Sequence, residues 1–277
     1  MHWFRNCDIE EIMSSNPVTL RAQISGNPDA SPIILLHGLF GMSDNLGNLS
    51  RFLSDHYAVY RLDLRNHGQS PWCDEISLLS MAEDVAEFCR AQNLSRVSLL
   101  GHSLGGKVAM QFALSHPSLV NALVVADIAP VTYTPHHNEI LHAMSHLDLS
   151  TISSRQQADQ RLAEEIDDAF VRQFLLKNLY RDESGKFALR MNLPVLAEQY
   201  DHLRMAPQGE PFTGPCLFVK GELSAYIQQK HADAIKHLFP AAQLKIIQGT
   251  GHYLHSEKPT AFNHIVGRFF DDVLNKA

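Results

Sequence analysis

Gly101-His102-Ser103-Leu104-Gly105 sets a serine between two glycines, after the apolar run 97–100 and before a helical pattern at 105–115. A strand that turns sharply into a helix lifts the serine Oγ above the sheet, and small residues on either side let the neighbouring backbones approach. The Leu104 amide then opens the helix, where it can donate to a developing oxyanion. Such a serine can attack an acyl carbonyl if a base takes its proton. Gly249-Thr250-Gly251-His252 offers that base, because a glycine turn between the last strand pattern and the last helix pattern can hold an imidazole over the sheet edge. Among 16 histidines, position and chain order single out His252. His37-Gly38-Leu39-Phe40-Gly41 follows another buried-strand pattern. Its turn can supply a second oxyanion amide, from Leu39 or from Phe40. Alone it reads as a plain glycine-rich turn; beside the serine motif the oxyanion reading is preferred.

The serine segment also satisfies a nucleotide-binding pattern. Gly101 to Lys107 fits G-x-x-x-x-G-K, and Val124-Val125-Ala126-Asp127 resembles a Walker B strand. A P-loop needs a Ser or Thr hydroxyl for Mg²⁺ at the next position, which is Val108 here. That rival also leaves the Leu39 and His252 turns unexplained.

The elements that must position these residues alternate between strand and helix. Residues 18–24, 33–36, 57–62, 96–100 and 122–126 read as strands, with helices at 78–89 (Ser77 as N-cap) and 105–115. Strands alternating with helices imply a mostly parallel, doubly wound α/β sheet. From 131 to 210 the reading changes to helices at 138–146, 156–165, 169–179 and 194–203, with no convincing strand. The rhythm resumes with strands at 215–220 and 243–248, a helix at 229–238, and a last helix opened by Pro259. The expected organisation is therefore a core of residues 17–130 and 211–277, a helical cap at 131–210 that roofs the site, and an N-terminal extension at 1–16. Met13 is an alternative start to Met1.

Composition agrees with a packed enzyme-sized domain. The chain has 277 residues, 45% hydrophobic and 19% charged, enough for a substantial core. A formal net charge of -7 argues against a nucleic acid partner. Cys7, Cys73, Cys89 and Cys216 follow no metal or redox spacing. No apolar run suggests a membrane span and no signal peptide is visible, so a cytoplasmic protein is expected.

Taken together these segments resemble the α/β-hydrolase superfamily across residues 18–274, and within it the small bacterial esterases of the YbfF type. The matching stretches are HGLFG with Asp44-Asn45-Leu46-Gly47, Asp63 to Ser70, GHSLGG, Asp127-Ile128-Ala129-Pro130 and GTGH. The resemblance implies hydrolysis of small or medium carboxylic esters or thioesters through an acyl-enzyme, a mobile cap, and neither metal nor cofactor. C–C bond hydrolysis and acyl transfer to another acceptor use the same triad. A non-catalytic binding protein on this fold would be expected to lack a triad member, whereas each candidate position is filled here.

Many members of the superfamily carry the triad acid after the strand at 215–220. Here that turn reads Gly221-Glu222-Leu223-Ser224, with an uncharged serine at the expected position and Glu222 two residues early. YbfF-type esterases carry their acid at the end of the strand after the elbow helix, where this chain has Asp127. Asp127 is thus the candidate acid and Ser224 a candidate support for it; Asp127 also reads as a cap of the Ala129-Pro130 turn. Asp63 and Arg65 can pair beside the site, although a hydrogen-bonded turn through Asn66 and Gly68 is the preferred reading. His142 and His146 have helical i, i+4 spacing, but position 143 is Ala and the H-E-x-x-H glutamate is missing. Phe170, Phe174 and Leu175 form a stripe expected to be cap core, or an acyl slot if the cap closes.

Overall fold

A computed structural model of the chain describes residues 16–275. The expected N-terminal extension and the Met13 start lie almost wholly in residues 1–15, outside the described residues, as does Cys7. Seven strands form the main sheet in the order β1-β3-β2-β4-β5-β8-β9. They are β1 (Ala22–Ser25), β2 (Pro32–Leu36), β3 (Ala58–Leu62), β4 (Val97–His102), β5 (Val120–Ala126), β8 (Cys216–Gly221) and β9 (Ala242–Ile247). Only β1 runs antiparallel to its neighbour, β3; every other pairing in this sheet is parallel.

The parallel strands are apolar on both faces because both faces are covered. Along β2, Ile33 and Leu35 face one layer and Ile34 and Leu36 the other, as strand alternation requires. On one side lie α1 (Gly47–Leu53) and α11 (Pro259–Leu274), whose Leu49, Leu53, Phe262, Val266 and Phe270 pack with Ile33, Leu35 and Val124. On the other lie α2 (Leu78–Ala91) and α3 (Leu104–Ser115), with Met81, Val85, Val108 and Phe112 against Ile34, Leu99 and Val125. Ser77 caps α2 by accepting from the Ser80 amide.

Between β5 and β8 the chain leaves the sheet. It forms α4 (Asn138–His146), α5 (Arg155–Leu162), α6 (Ala169–Leu176), α7 (Leu193–Glu198) and α8 (Tyr200–Arg204). The expectation of an insertion without strands is corrected: β6 (Leu179–Arg181) and β7 (Phe187–Leu189) form a hairpin. Three residues per strand are too few for alternation to show. The turn is built by Asp182, whose carboxylate accepts the Ser184 and Lys186 amides, with Gly185 at φ 80. β1 is shorter than its apolar pattern because side chains take the backbone donors ahead of it, Asp84 from Val18 and Ser70 from Arg21. After β8 come α9 (Ala232–Leu238) and, after β9, α10 (Leu254–Glu257). No helix among the described residues is long and apolar enough to cross a membrane.

Candidate active site

Ser103 stands between β4 and α3 with φ 53 and ψ −118, an uncommon conformation for a residue with a side chain. The elbow is tight for a stated reason. A Cβ on Gly101 would lie 2.0 Å from the Gly105 carbonyl oxygen, and one on Gly105 would lie 2.3 Å from that of Leu36. Ser103 is anchored by its amide donating to Ala126 O at 3.0 Å, and its carbonyl starts the helix by accepting the Lys107 amide. The Leu104 amide is therefore one of the first-turn donors that no helical carbonyl can satisfy.

The turn 38–41 is closed by the Gly41 amide on Gly38 O at 2.9 Å, with Phe40 at φ 60. It is pressed against the elbow: a Cβ on Gly38 would lie 3.3 Å from that of Ser103. His37 is locked by donating from Nδ1 to Gly38 O and accepting the Leu64 amide at Nε2. Leu39 and Leu104 both border the space in front of Ser103.

His252 follows β9 on the turn formed by Gly249, Thr250 and Gly251. Its Nδ1 lies 2.8 Å from Asp127 Oδ2. An ionised carboxylate only accepts, so Nδ1 carries the proton and Nε2 is left free to accept one. Asp127 ends β5, is fully buried and sits at φ 53. Its Oδ1 accepts the Gly221 amide at 3.0 Å, and its Oδ2 accepts the Ser224 hydroxyl as well as His252. Glu222 is turned elsewhere, accepting the Gly249 amide at 2.7 Å. Phe40, Ser103 and Asp127 are three of the five non-glycine residues with positive φ among the described residues. Such outliers persist where surrounding structure holds them, and they gather at functional sites.

Two cavities meet at Ser103 and share Leu39 and His137. One is walled by Leu104, Ile128, Tyr133, Tyr200, Leu203 and Tyr226. The other is walled by His252, Tyr253, His255, Asn45 and Phe174. Phe174 thus borders the His252 side, and its ring lies 5.4 Å from Tyr253. Leu175 is buried in the insertion. The site is rich in buried imidazoles that burial keeps neutral: His255 is pushed down to about 3 and His137 to about 4. Tyr133, Tyr226, His137, Tyr253 and His255 were not singled out by sequence. Only Tyr253 and His255 had a signal, being one and three positions from His252.

Several other expectations change. Asp63 and Arg65 do not pair with each other. Asp63 accepts the Ser43 and Gln69 amides, while Arg65 makes a bidentate buried pair with Asp84 at 2.6 and 2.7 Å. Asn66 and Gly68 take positive φ, as the turn reading required. His142 contacts Glu165 at 2.7 Å and stacks on His146. Lys107, which completes the nucleotide-binding pattern, is buried and donates to the carbonyls of Val131, Arg204 and Met205. Those carbonyls occupy the amine, and burial pushes it down to about 7, so it is poorly suited to hold a phosphate.

Comparison with known proteins agrees with this architecture. Residues 31–259 match the alpha/beta hydrolase fold family. The chain is 36% identical to esterase YbfF of Escherichia coli over 92% of its own length and 99% of that protein. It is 37% identical to the mouse sn-1-specific diacylglycerol lipase ABHD11, over 89% of this chain and 83% of that one. Among solved structures, a marine microorganism esterase superposes with a TM-score of 0.89 at 40% identity, covering 91% of this chain and 99% of the other. A sheet of this order, a serine on a strained elbow and a family match over most of the length lead to one conclusion: the chain belongs to the alpha/beta hydrolase fold family.

Proposed function

We propose that the protein is a carboxylic ester hydrolase in which Ser103 is the nucleophile, His252 the base and Asp127 the acid that orients it. The observation that carries this reading is the 2.8 Å contact between His252 Nδ1 and the buried Asp127 carboxylate, beside a cavity that Ser103 and His252 both line. Ser103 Oγ attacks the ester carbonyl carbon while its proton passes to His252 Nε2. The carbonyl oxygen becomes an oxyanion facing the Leu104 and Leu39 amides, each worth about 2.7–4 kcal/mol of barrier where such donors have been removed. Collapse breaks the bond to the leaving alcohol, which takes the proton from His252. Water then attacks the acyl-enzyme by the same route and releases the acid and Ser103.

His252 hands its proton to the leaving group, so the leaving group belongs in the cavity that His252 walls. The acyl group takes the other cavity, against Ile128, Tyr133, Leu203 and Tyr226. A small or medium acyl chain is the proposed occupant, on the apolar character of these walls. Residues 131–210 act as a cap over both, and thioesters fit the same chemistry. The names of the E. coli and mouse relatives support ester substrates.

A fluorophosphonate probe with mass-spectrometric mapping tests the reading, together with hydrolysis of a panel of esters. Ser103 is expected to be the modified residue, and Ser103→Ala to keep its fold and lose activity by orders of magnitude. An alanine variant that retains a tenth of wild-type turnover overturns the assignment.

A further inference from the structure

The loop after β8 has no carboxylate at its serine position, yet it still reaches the site. Ser224 holds the Asp127 carboxylate, and the Tyr226 amide donates to Ser224 Oγ at 3.2 Å. The Tyr226 carbonyl accepts the Tyr133 hydroxyl, which itself accepts the Ala129 amide at 2.8 Å. Tyr226 is therefore fixed from both sides of its peptide. Its ring lies on the His252 imidazole, with centroids 4.0 Å apart and planes 24° from parallel. The other rings near that imidazole are less aligned: His102 at 4.8 Å and 40°, Tyr253 at 5.5 Å and 68°.

The charges that surround His252 sharpen the point. Asp127 is the carboxylate on it, at the end of β5. His102 from β4, His255 from α10 and His137 from the insertion are pushed below the usual imidazole range by burial. When His252 takes the serine proton, its positive charge thus meets one carboxylate, three neutral imidazoles and the electron-rich face of a tyrosine. An aromatic face attracts a cation laid over it. The Nδ1 contact alone leaves the ring free to pivot about that bond; a stacked ring fixes its plane.

We propose that Tyr226 is a positioning residue, whose ring sets the plane of the His252 imidazole and stabilises it while it carries the serine proton. This role rests on the assignment of His252 as the base. Tyr226 also walls the proposed acyl cavity, so the two roles are told apart by the pH dependence of turnover, which only an action through the imidazole moves.

The test uses the full-length protein as wild type, Tyr226→Phe, Tyr226→Leu and Tyr226→Met, with Ser103→Ala as the control that tests the hydrolase reading separately. Rates for an alkyl ester and for p-nitrophenyl acetate are measured from pH 5 to 9, with a thermal melt for each variant. Tyr226→Leu is expected to lower kcat on the order of tenfold, the scale of a desolvated cation–π contact. KM reports any change in the acyl wall, whereas the acid limb of kcat/KM should move to lower pH, because the protonated imidazole has lost a stabilising neighbour. Tyr226→Phe should recover most of the loss and restore the limb. Tyr226→Met, which fills space without a π face, should behave as Leu does and covers the case in which Leu fails to fold. The proposal is overturned if Leu and Met leave turnover and the pH limb at wild-type values while Ser103→Ala is inactive. It is equally overturned if Phe is as impaired as Leu, or if turnover falls with an unmoved limb and a lowered melt.

Discussion

Replacing Asp127 by asparagine changes one atom of a fully buried group and should nearly silence the enzyme. The carboxylate accepts three hydrogen bonds, from the Gly221 amide, the Ser224 hydroxyl and His252 Nδ1. Asparagine keeps one acceptor oxygen and gains an NH₂. If the oxygen stays on Gly221, the NH₂ faces His252 and Ser224, which must both turn from donors into acceptors. Ser224 can rotate its hydroxyl. His252 can comply only by moving its proton to Nε2, which removes the lone pair that must take the Ser103 proton. The loss should match the roughly 10⁴-fold drop known for a triad aspartate made neutral, about 5.5 kcal/mol of barrier. Ser224→Ala removes one bond to a charged group and should cost about 1.5–3 kcal/mol, roughly tenfold to a hundredfold. Glu222→Gln should be mild, because that carboxylate holds the Gly249 amide. The assay is kcat/KM for one ester at constant pH, with a thermal melt to show that each variant folds. If Glu222→Gln is the crippling change and Asp127→Asn stays within tenfold of wild type, the acid assignment fails.

Three further outcomes are expected. Gly101→Ala would drive a Cβ into the Gly105 carbonyl 2.0 Å away, so the elbow must open; a loss of about 1–3 kcal/mol in urea unfolding and of fluorophosphonate labelling should follow, and an unchanged midpoint would show that the turn is not tight. Phe174→Ala widens the cavity walled by His252, so it should change the preferred alcohol at a fixed acyl group; a change confined to acyl preference would reverse the assignment of the two cavities. His67, His137 and His255 stay neutral in the fold down to about 3, 4 and 3, while the unfolded chain protonates near 6.5. The unfolded state therefore binds more protons below 6.5, and stability should fall as pH drops toward 4, by up to about 1.4 kcal/mol per pH unit per histidine. Urea midpoints at pH 7.0 and 5.5 measure this, and a flat profile would mean that these imidazoles are not held neutral.

Most of the architecture was legible because strand periodicity and glycine turns are local signals. Ile33 to Leu36 must be buried on both faces, and Gly101 and Gly105 mark a close backbone approach wherever they fall. Ser103 and His252 could be put forward as candidates for the same reason. Asp127 needed knowledge of a family, since a strand-ending aspartate looks alike whether it holds an imidazole or caps a turn. The preferred turn through Asn66 and Gly68 was legible, but the partner of Arg65 was not, because Asp84 is brought up by α2 from 19 positions away. Tyr226, Tyr133 and His137 carried no signal, as aromatic residues in loops gain their roles only when the insertion folds back over the sheet.

Lys107 has a consequence for traffic through the site. Its amine grips Val131 at the entry to the insertion and Arg204 and Met205 at the exit. One side chain on the helix that follows Ser103 thus clips both roots of the inserted segment. A flap clipped at both ends cannot swing open as a door on a hinge. If residues 131–210 cap the site as proposed, passage is expected through bending in the middle of the segment, around α5, α6 and the β6–β7 hairpin. Substrate capture and product escape would then be matters of local flexing, with the walls nearest Ser103 left in place.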